Sequence, residues 1–312
     1  LELPIIKVSI VGVGKVGSAL GLTLIARGIV DDLVLIGRPS KDPSAPHFPT
    51  GEAMDLLHAS AFTRPARVRA GDIADAAGSD VIAICIAGQS GVLPRDTGFL
   101  HNAEIFQQMI PALAAASPNA ILLITTNPLD AMTTLALQLS KFPPSRVLGT
   151  GTLLDTMRLR VLLSERRGIH PRDIRAYVLG EHGDTQFVAR SSASAGGARI
   201  GLDAAALLEL ESQTRTAGHA IMHHKGFTNA GVAMSAACII EAIANDSKEV
   251  IPVSTLVTGF AGVSEICLSL PAVVGRKGVL QTLQIELTAD EQQAFQKSAE
   301  FVRETLKRLG PR

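Results

Sequence analysis

Short, nearly continuous apolar runs at positions 5–11, 33–36, 81–86 and 120–125 alternate with stretches of helical periodicity through the first half of the chain. A strand buried on both faces reads as such a run rather than as an in–out alternation, so the pattern predicts βαβ units and a parallel sheet. The first helix is predicted from Gly14 to Ala26, with Gly28 helping to end it. Asn127 and Pro128 mark another strand-to-helix turn, with a helix to Leu139. A short run at 146–148 leads into Gly149 and Gly151, where a boundary is expected between domains 1–150 and 151–312. Beyond it come a helix at 153–167, a strand at 174–179, a glycine-rich bend at 180–183 and helices at 203–223 and 230–245. Short β-type segments between 253 and 285 follow, and an amphipathic helix from 290 to 309 closes the chain. The fold class expected is α/β: a Rossmann-type doubly wound parallel sheet with a second, mixed α+β substrate domain.

Composition narrows this picture. With 312 residues and 46% hydrophobic content the chain can bury two packed domains and a cleft between them. Lys+Arg and Asp+Glu both total 29, so no bulk charge calls for nucleic acid or an anionic membrane as partner. Cys85, Cys238 and Cys267 lie far apart without zinc spacing or a disulfide framework, which suits buried thiols in a reducing compartment. The first residues read as a strand entering a turn rather than a leader, and the apolar stretches are too short or broken for a bilayer span. A cytoplasmic protein is expected.

Gly12, Gly14 and Gly17 form GVGKVG directly after an apolar strand and at the start of a helix. Glycines there permit a tight turn, close approach of backbone to a pyrophosphate, and packing of helix on sheet, while the helix N-terminus offers oriented N–H groups. At the end of the second strand a carboxylate would hold the ribose hydroxyls of NAD. Here Gly37 occupies the expected acidic position, followed by Arg38, Ser40 and Lys41. Loss of the negative charge together with added donors favours NADP(H), with NAD(H) the alternative if Arg38 and Lys41 are merely a solvated edge.

In GEHGDT, His182 stands in a glycine-bounded turn after a strand, suited to passing a proton to or from an alcohol oxygen during hydride transfer. Asp155 in LLDTMRLR is a candidate orienting acid, and Arg158 lies three residues further along nearly the same helix face, where it can grip a substrate carboxylate. Equally, Asp155 and Arg158 can form a local ion pair on a surface helix. His219 and His223 share a helix face, but no acidic partner recurs at ligand spacing, and no metal site is expected.

The assembled motifs resemble the family of L-lactate and malate dehydrogenases, the L-2-hydroxyacid dehydrogenases. The matching pieces are GEAMDLLH at 51–58, TTNPLD at 125–130, GTGTLLDTMRLR at 149–160, GEHGDT at 180–185, KGFTN at 225–229 and LSLPAVVGRKGV at 268–279, and they span nearly the whole chain. The resemblance implies His182 as acid/base, Asp155 as its partner and Arg158 as the clamp on the 1-carboxylate. It also implies Arg95 as the loop residue that polarises the reacting carbonyl. Asn127 and Thr228 would contact substrate, with Gln89 a stand-in for a specificity-loop glutamine. Gly12, Gly14, Lys15, Val16, Gly17, Gly37, Arg38, Ser40, Ala87, Gly88, Thr125 and Asn127 would contact the cofactor. The expected function is reversible hydride transfer between nicotinamide and a small 2-hydroxy/2-oxo monocarboxylic acid, by a homodimer or homotetramer.

Two departures bear on specificity. The loop AGQSGVLPRDTG at 87–98 is shorter than the family's usual one and carries no Arg or Lys before Arg95, so a second substrate carboxylate would be buried unpaired. The proline-rich stretch at 38–50 is longer than usual, and His47 within it reads as an isolated, solvent-facing side chain. The rival readings are a malate dehydrogenase, a branched 2-oxo acid reductase, and a noncatalytic NADP-binding protein.

Overall fold

In the computed structural model the described residues are 6–38, 45–87, 95–201 and 203–309, with 95–97 described by backbone alone. Six parallel strands form the first half: β1 (Lys7–Val11), β2 (Asp32–Ile36), β3 (Arg67–Gly71), β4 (Val81–Ile84), β5 (Ile121–Ile124) and β6 (Val147–Gly149). The helices α1 (Lys15–Ala26), α2 (Phe48–Ser60), α3 (Arg95–Ala116) and α4 (Leu129–Ser140) run between them. All four residues of β4 and of β5 are buried, which is why these strands read as unbroken apolar runs. The order β3-β2-β1-β4-β5-β6 reverses direction between β1 and β4. A ligand crevice is expected at the carboxyl ends of the strands at such a switch point.

The second half begins with α5 (Leu153–Arg167), followed by β7 (Ile174–Arg175), β8 (Val178–Leu179), β9 (Phe187–Val188), β10 (Ser194–Ala195) and β11 (Ala198–Arg199). The strand expected at 174–179 is therefore two, because β7 pairs with β10 whereas β8 pairs with β9. Helices α6 (Ala204–Lys225) and α7 (Ala230–Ala244) precede β12 (Glu249–Phe260), β13 (Val263–Gly275) and β14 (Gly278–Thr282), and α8 (Ala289–Lys307) ends the fold. The segments expected to be short between 253 and 285 are a long antiparallel hairpin plus a third strand. They extend the main sheet, β12 meeting β6 at Ser254 and Gly149.

Each face of this sheet carries its own core. One contains Leu20, Leu24, Leu56 and the alanine- and isoleucine-rich side of α7; the other contains Phe106, Ile110, Met132, Leu135 and Phe295 of α8. Helices from the second half thus cover both faces of the sheet begun by the first. A third cluster, built on Leu159, Leu163, Val178 and Leu210, holds α5, β8 and α6 together. Among the described residues no helix is long and apolar enough to cross a membrane.

Candidate active site

Gly12 follows β1 with φ +95°, and a Cβ there would stand 2.8 Å from the carbonyl carbon and oxygen of Cys85. Any other residue would be strained and would push β1 from β4. A Cβ on Gly17 would collide with the Gly12 carbonyl, so both glycines are demanded by packing of α1 on the turn. Gly14 differs: it caps α1 without a side-chain hydrogen bond, and nothing lies within 4 Å of where its Cβ would be. The N-terminus of α1 thus has no side-chain cap of its own and open space beside Gly14, an arrangement compatible with a pyrophosphate at its N–H groups. Lys15 extends from this turn to lie 4.5 Å above the ring of Phe227, which Lys225 flanks at 4.7 Å. This contact brings the glycine turn to the KGFTN segment, with half-buried Thr228 adjoining it.

At the end of β2, a Cβ on Gly37 would collide with Pro49 Cγ at the start of α2. Arg38 is exposed, and its carbonyl bonds His47 Nε2 at 3.0 Å. His47 also shares a 2.8 Å hydrogen bond with Thr50, so it is half-buried and doubly bonded rather than isolated.

The proton-transfer candidates meet across elements. Thr152 donates to the Val178 carbonyl at 2.5 Å, and Thr156 accepts from the Val178 N–H at 3.0 Å. These bonds fix the start of α5 against β8, immediately before the GEHGDT turn. Asp155 is thereby delivered to His182, whose Nδ1 lies 2.6 Å from Asp155 Oδ2. The other carboxylate oxygen accepts from Arg158 at 2.9 Å. Asp155 thus makes both contacts that its sequence position allows: it orients the histidine and pairs with the arginine one turn on. Its side chain is 2% exposed, that of Arg158 17% and that of His182 27%, so the imidazole still reaches the cleft.

The turn is braced from below. Glu181 accepts from the Thr185 amide and hydroxyl at 2.9 and 2.6 Å. Buried Asp130, in the first turn of α4, accepts the His182 backbone N–H at 2.7 Å and the Ser254 hydroxyl at 2.6 Å. Burial pushes the Asp130 carboxyl up to about 7, against the lowering effect of its hydrogen bonds. For His182, burial opposes the charged form, but the charge and hydrogen bond of Asp155, with Asp130 and Glu181 behind it, raise the imidazole to about 9. Asp155 is desolvated, yet His182 and Arg158 hold it below the ordinary aspartate range.

Thr125 donates to the Ile84 carbonyl at 3.0 Å at the tip of β5, and Asn127, two residues on, is exposed with its carbonyl bonded to Asn102. Ala87 is exposed beyond β4, and Val16 is half-buried in α1. These positions share the carboxyl-end crevice of the sheet. Arg95 is the first residue of α3; its side chain, together with Ser40, Gly88 and Gln89, lies outside the described residues. Nothing in the sequence alone assigns a task to Asp130, Ser254, Glu181 or Phe227. Asp130, Glu181 and Phe227 belong to motifs already singled out, whereas Ser254 is recognisable only through its contact across the fold.

A nucleotide crevice joined to a histidine–aspartate–arginine group defines a dehydrogenase acting on a carboxylate-bearing alcohol or ketone. Residues 6–149 match the lactate/malate dehydrogenase NAD binding domain, and residues 152–309 match the lactate/malate dehydrogenase alpha/beta C-terminal domain. The chain is 39% identical over 308 residues to the L-lactate dehydrogenase of Synechococcus sp. (strain JA-3-3Ab), covering 96% of this chain and 98% of that one. It is 38% identical over 315 residues to the L-lactate dehydrogenase of Gloeobacter violaceus (strain ATCC 29082 / PCC 7421), covering 98% and 94%. The crystal structure of the minor L-lactate dehydrogenase from Enterococcus mundtii, in its ligands-bound form, superposes with a TM-score of 0.91 at 30% identity, covering 97% and 98%. The chain belongs to the lactate/malate dehydrogenase family, and it is an NAD-dependent oxidoreductase that transfers hydride to or from a small 2-hydroxy/2-oxo acid.

The expectation of NADP(H) is overturned by the match of residues 6–149 to an NAD binding domain. Gly37 has a steric reason instead: Pro49 fills the space that a side chain would occupy. The missing carboxylate reflects how tightly α2 enters against β2 and does not report an added phosphate.

Proposed function

We propose that the chain is an L-lactate dehydrogenase-like enzyme that reduces a small 2-oxo monocarboxylate with His182, Asp155 and Arg158 as its central group. The observation that carries this reading is the Asp155 carboxylate shared between His182 Nδ1 and the Arg158 guanidinium. Gly12, Gly14, Lys15, Val16 and Gly17 would hold the cofactor's phosphates, Ala87, Thr125 and Asn127 its nicotinamide end, and Arg38 the adenosine end, in a substructure that ends near residue 150. When bound, NAD(H) supplies or accepts the hydride. Arg158 holds the substrate's 1-carboxylate, Asn127 and Thr228 line its pocket, and Arg95 at the head of α3 polarises the C2 carbonyl. With Nδ1 committed to Asp155, His182 presents Nε2 to the substrate oxygen. The imidazolium donates a proton there in reduction, and the neutral ring accepts it in oxidation.

A monocarboxylate is favoured because no Arg or Lys precedes Arg95 in the loop at 87–94 to pair a second carboxylate. The test follows NADH oxidation with pyruvate, 2-oxobutyrate, branched 2-oxo acids and oxaloacetate, for the parent and His182→Asn. The expected result is turnover with monocarboxylates and a loss of two or more orders of magnitude, about 10²–10⁴-fold, in the variant. Near-parental turnover of His182→Asn would remove the acid/base assignment. Dominant turnover of oxaloacetate would replace the lactate-type reading by a malate-type one. A homo-oligomer is part of the proposal, its contact surface including α2.

A further inference from the structure

Asp130 is a carboxylate with 1% of its surface exposed, and among the described residues neither of its oxygens meets a cationic side chain in a hydrogen bond. Oδ1 accepts the Ser254 hydroxyl from β12, and Oδ2 accepts the His182 backbone N–H. An unpaired buried carboxylate is an expensive feature if anchoring a loop is its only task, since a neutral amide offers one N–H acceptor at far lower desolvation cost. Its place answers the question of what the charge does. The residue that receives its Oδ2 contact is the histidine whose charge changes during proton transfer. Among the described residues, the ionisable side chains that act on that imidazole or pair beside it are Asp155 and Arg158 from α5, Glu181 on its own turn and Asp130 from α4. Arg158 is already paired with Asp155 and Glu181 with Thr185.

We propose that Asp130 is a positioning residue for the reaction: from the first turn of α4 it anchors the backbone of His182, and its buried charge supports the imidazolium as a second anion behind Asp155. The proposal rests on His182 being the acid/base. It also connects the two halves of the chain, since one carboxylate ties α4, which follows the Asn127–Pro128 turn, to both the GEHGDT turn and the β12 hairpin. The Asp130 carboxyl sits at about 7 and His182 at about 9, so Asp130 is ionised over the range in which His182 gains or loses its proton.

Two variants separate charge from anchoring. Asp130→Asn keeps an oxygen for the His182 N–H and an amide toward Ser254, but removes the charge. Ser254→Ala leaves the contacts of His182 untouched and takes one donor from Asp130, whose carboxyl then holds a proton more readily and carries less charge. For the full-length protein with NAD(H) and a 2-oxo/2-hydroxy acid pair, kcat/KM is measured against pH in both directions, with NADH binding and thermal melting as controls of folding. With the second anion gone, the imidazole loses its proton earlier. The limb that rises in oxidation and the limb that falls in reduction are both expected to move to lower pH, by about half a unit or more for Asp130→Asn and less for Ser254→Ala. Folded Asp130→Asn protein with parental NADH binding and unmoved limbs would overturn the proposal. If that variant does not fold, Asp130→Ser, equally uncharged, is measured in its place, and unmoved limbs there overturn the proposal. Failure of the underlying reading is separately visible, as retained turnover in His182→Asn.

Discussion

His182 faces three carboxylates and is raised to about 9, the Asp155 contribution outweighing the burial that opposes charge. Reduction of a 2-oxo acid needs the imidazolium, so its kcat/KM should stay level through neutrality and fall about tenfold per pH unit above about 9. Oxidation needs the neutral ring and should rise toward the same pH. A limb near 6.5 in both directions would show that the carboxylates do not act on this ring. The same shift contributes to folding stability, fully present below 6.5 and lost as pH rises through about 9. Arg158→Lys provides a second residue-scale expectation. An ammonium cannot keep one nitrogen on Asp155 while offering a planar pair to a carboxylate, so KM for the 2-oxo acid should rise about tenfold or more. An unchanged KM would place the clamp elsewhere. At Gly37 the sequence suggests a carboxylate deleted for a phosphate's sake, but the structure puts Pro49 in that space. Gly37→Asp should therefore lower thermal stability by roughly 1–3 kcal/mol through overpacking rather than tighten NAD binding. A stable variant with tighter NAD binding would refute that steric account.

At the scale of elements, legibility depended on whether an element's pattern is local. Helix α5 is legible in the sequence at about its observed limits, Leu153–Arg167, from local helical periodicity, and in the structure Gly168 closes it in the left-handed region. Strands β1, β4 and β5 were legible as runs buried on both faces. Strand β3, RVRAG, was not: it lies at the sheet edge, has one fully buried residue, and shows no apolar run. The β12–β13 hairpin reads from sequence only as short segments between 253 and 285, because its pairing, with Pro252 opposite Pro271, is a contact between strands rather than a local pattern. The candidate site divides along the same line. Chemistry and spacing suggest that His182, Asp155 and Arg158 belong together, and the structure brings them into contact, while the brace of Asp130 and Ser254 joins residues 124 apart in sequence. The junction of the hairpin with the parallel sheet is correspondingly tight. A Cβ at Gly149 would stand 2.5 Å from Thr133 Oγ1 and 3.1 Å from Ser254 Cβ. Gly149→Val should therefore force β12 from β6, lower the melting temperature and displace Ser254 from Asp130. Its loss of kcat should exceed its loss of NADH affinity, because the glycine turn of β1 is untouched; the opposite ranking would show that the junction does not support the GEHGDT turn.

For the whole molecule, the remaining question is what covers its apolar surface. Both faces of the sheet are sheathed by helices of the same chain, yet α2 leaves Met54 and Leu57 exposed, and Phe62 just beyond it is 92% exposed. Single exposed apolar side chains are ordinary, but three large ones within nine residues of sequence are the kind of cluster that marks an association surface. The inner side of α2 is committed to the core through Ala53 and Leu56, and its entry is wedged against β2 by Pro49 and Gly37. Its outer side is therefore presented rigidly, which lowers the entropic cost of association. Two copies meeting through this surface would form an isologous contact, the arrangement most often found in closed assemblies. Sedimentation of the parent at micromolar concentration should give a dimer or tetramer, and Met54→Glu/Leu57→Glu should shift it toward smaller species, since carboxylates buried in an apolar contact lack partners. Because Asp155, His182 and Asp130 all come from one chain, the dissociated variant should keep the pH dependence set by that group even if its melting temperature falls. A parent that sediments as a monomer would remove α2 as an interface, and dissociation accompanied by a moved pH limb would mean that a second copy contributes charge to the site.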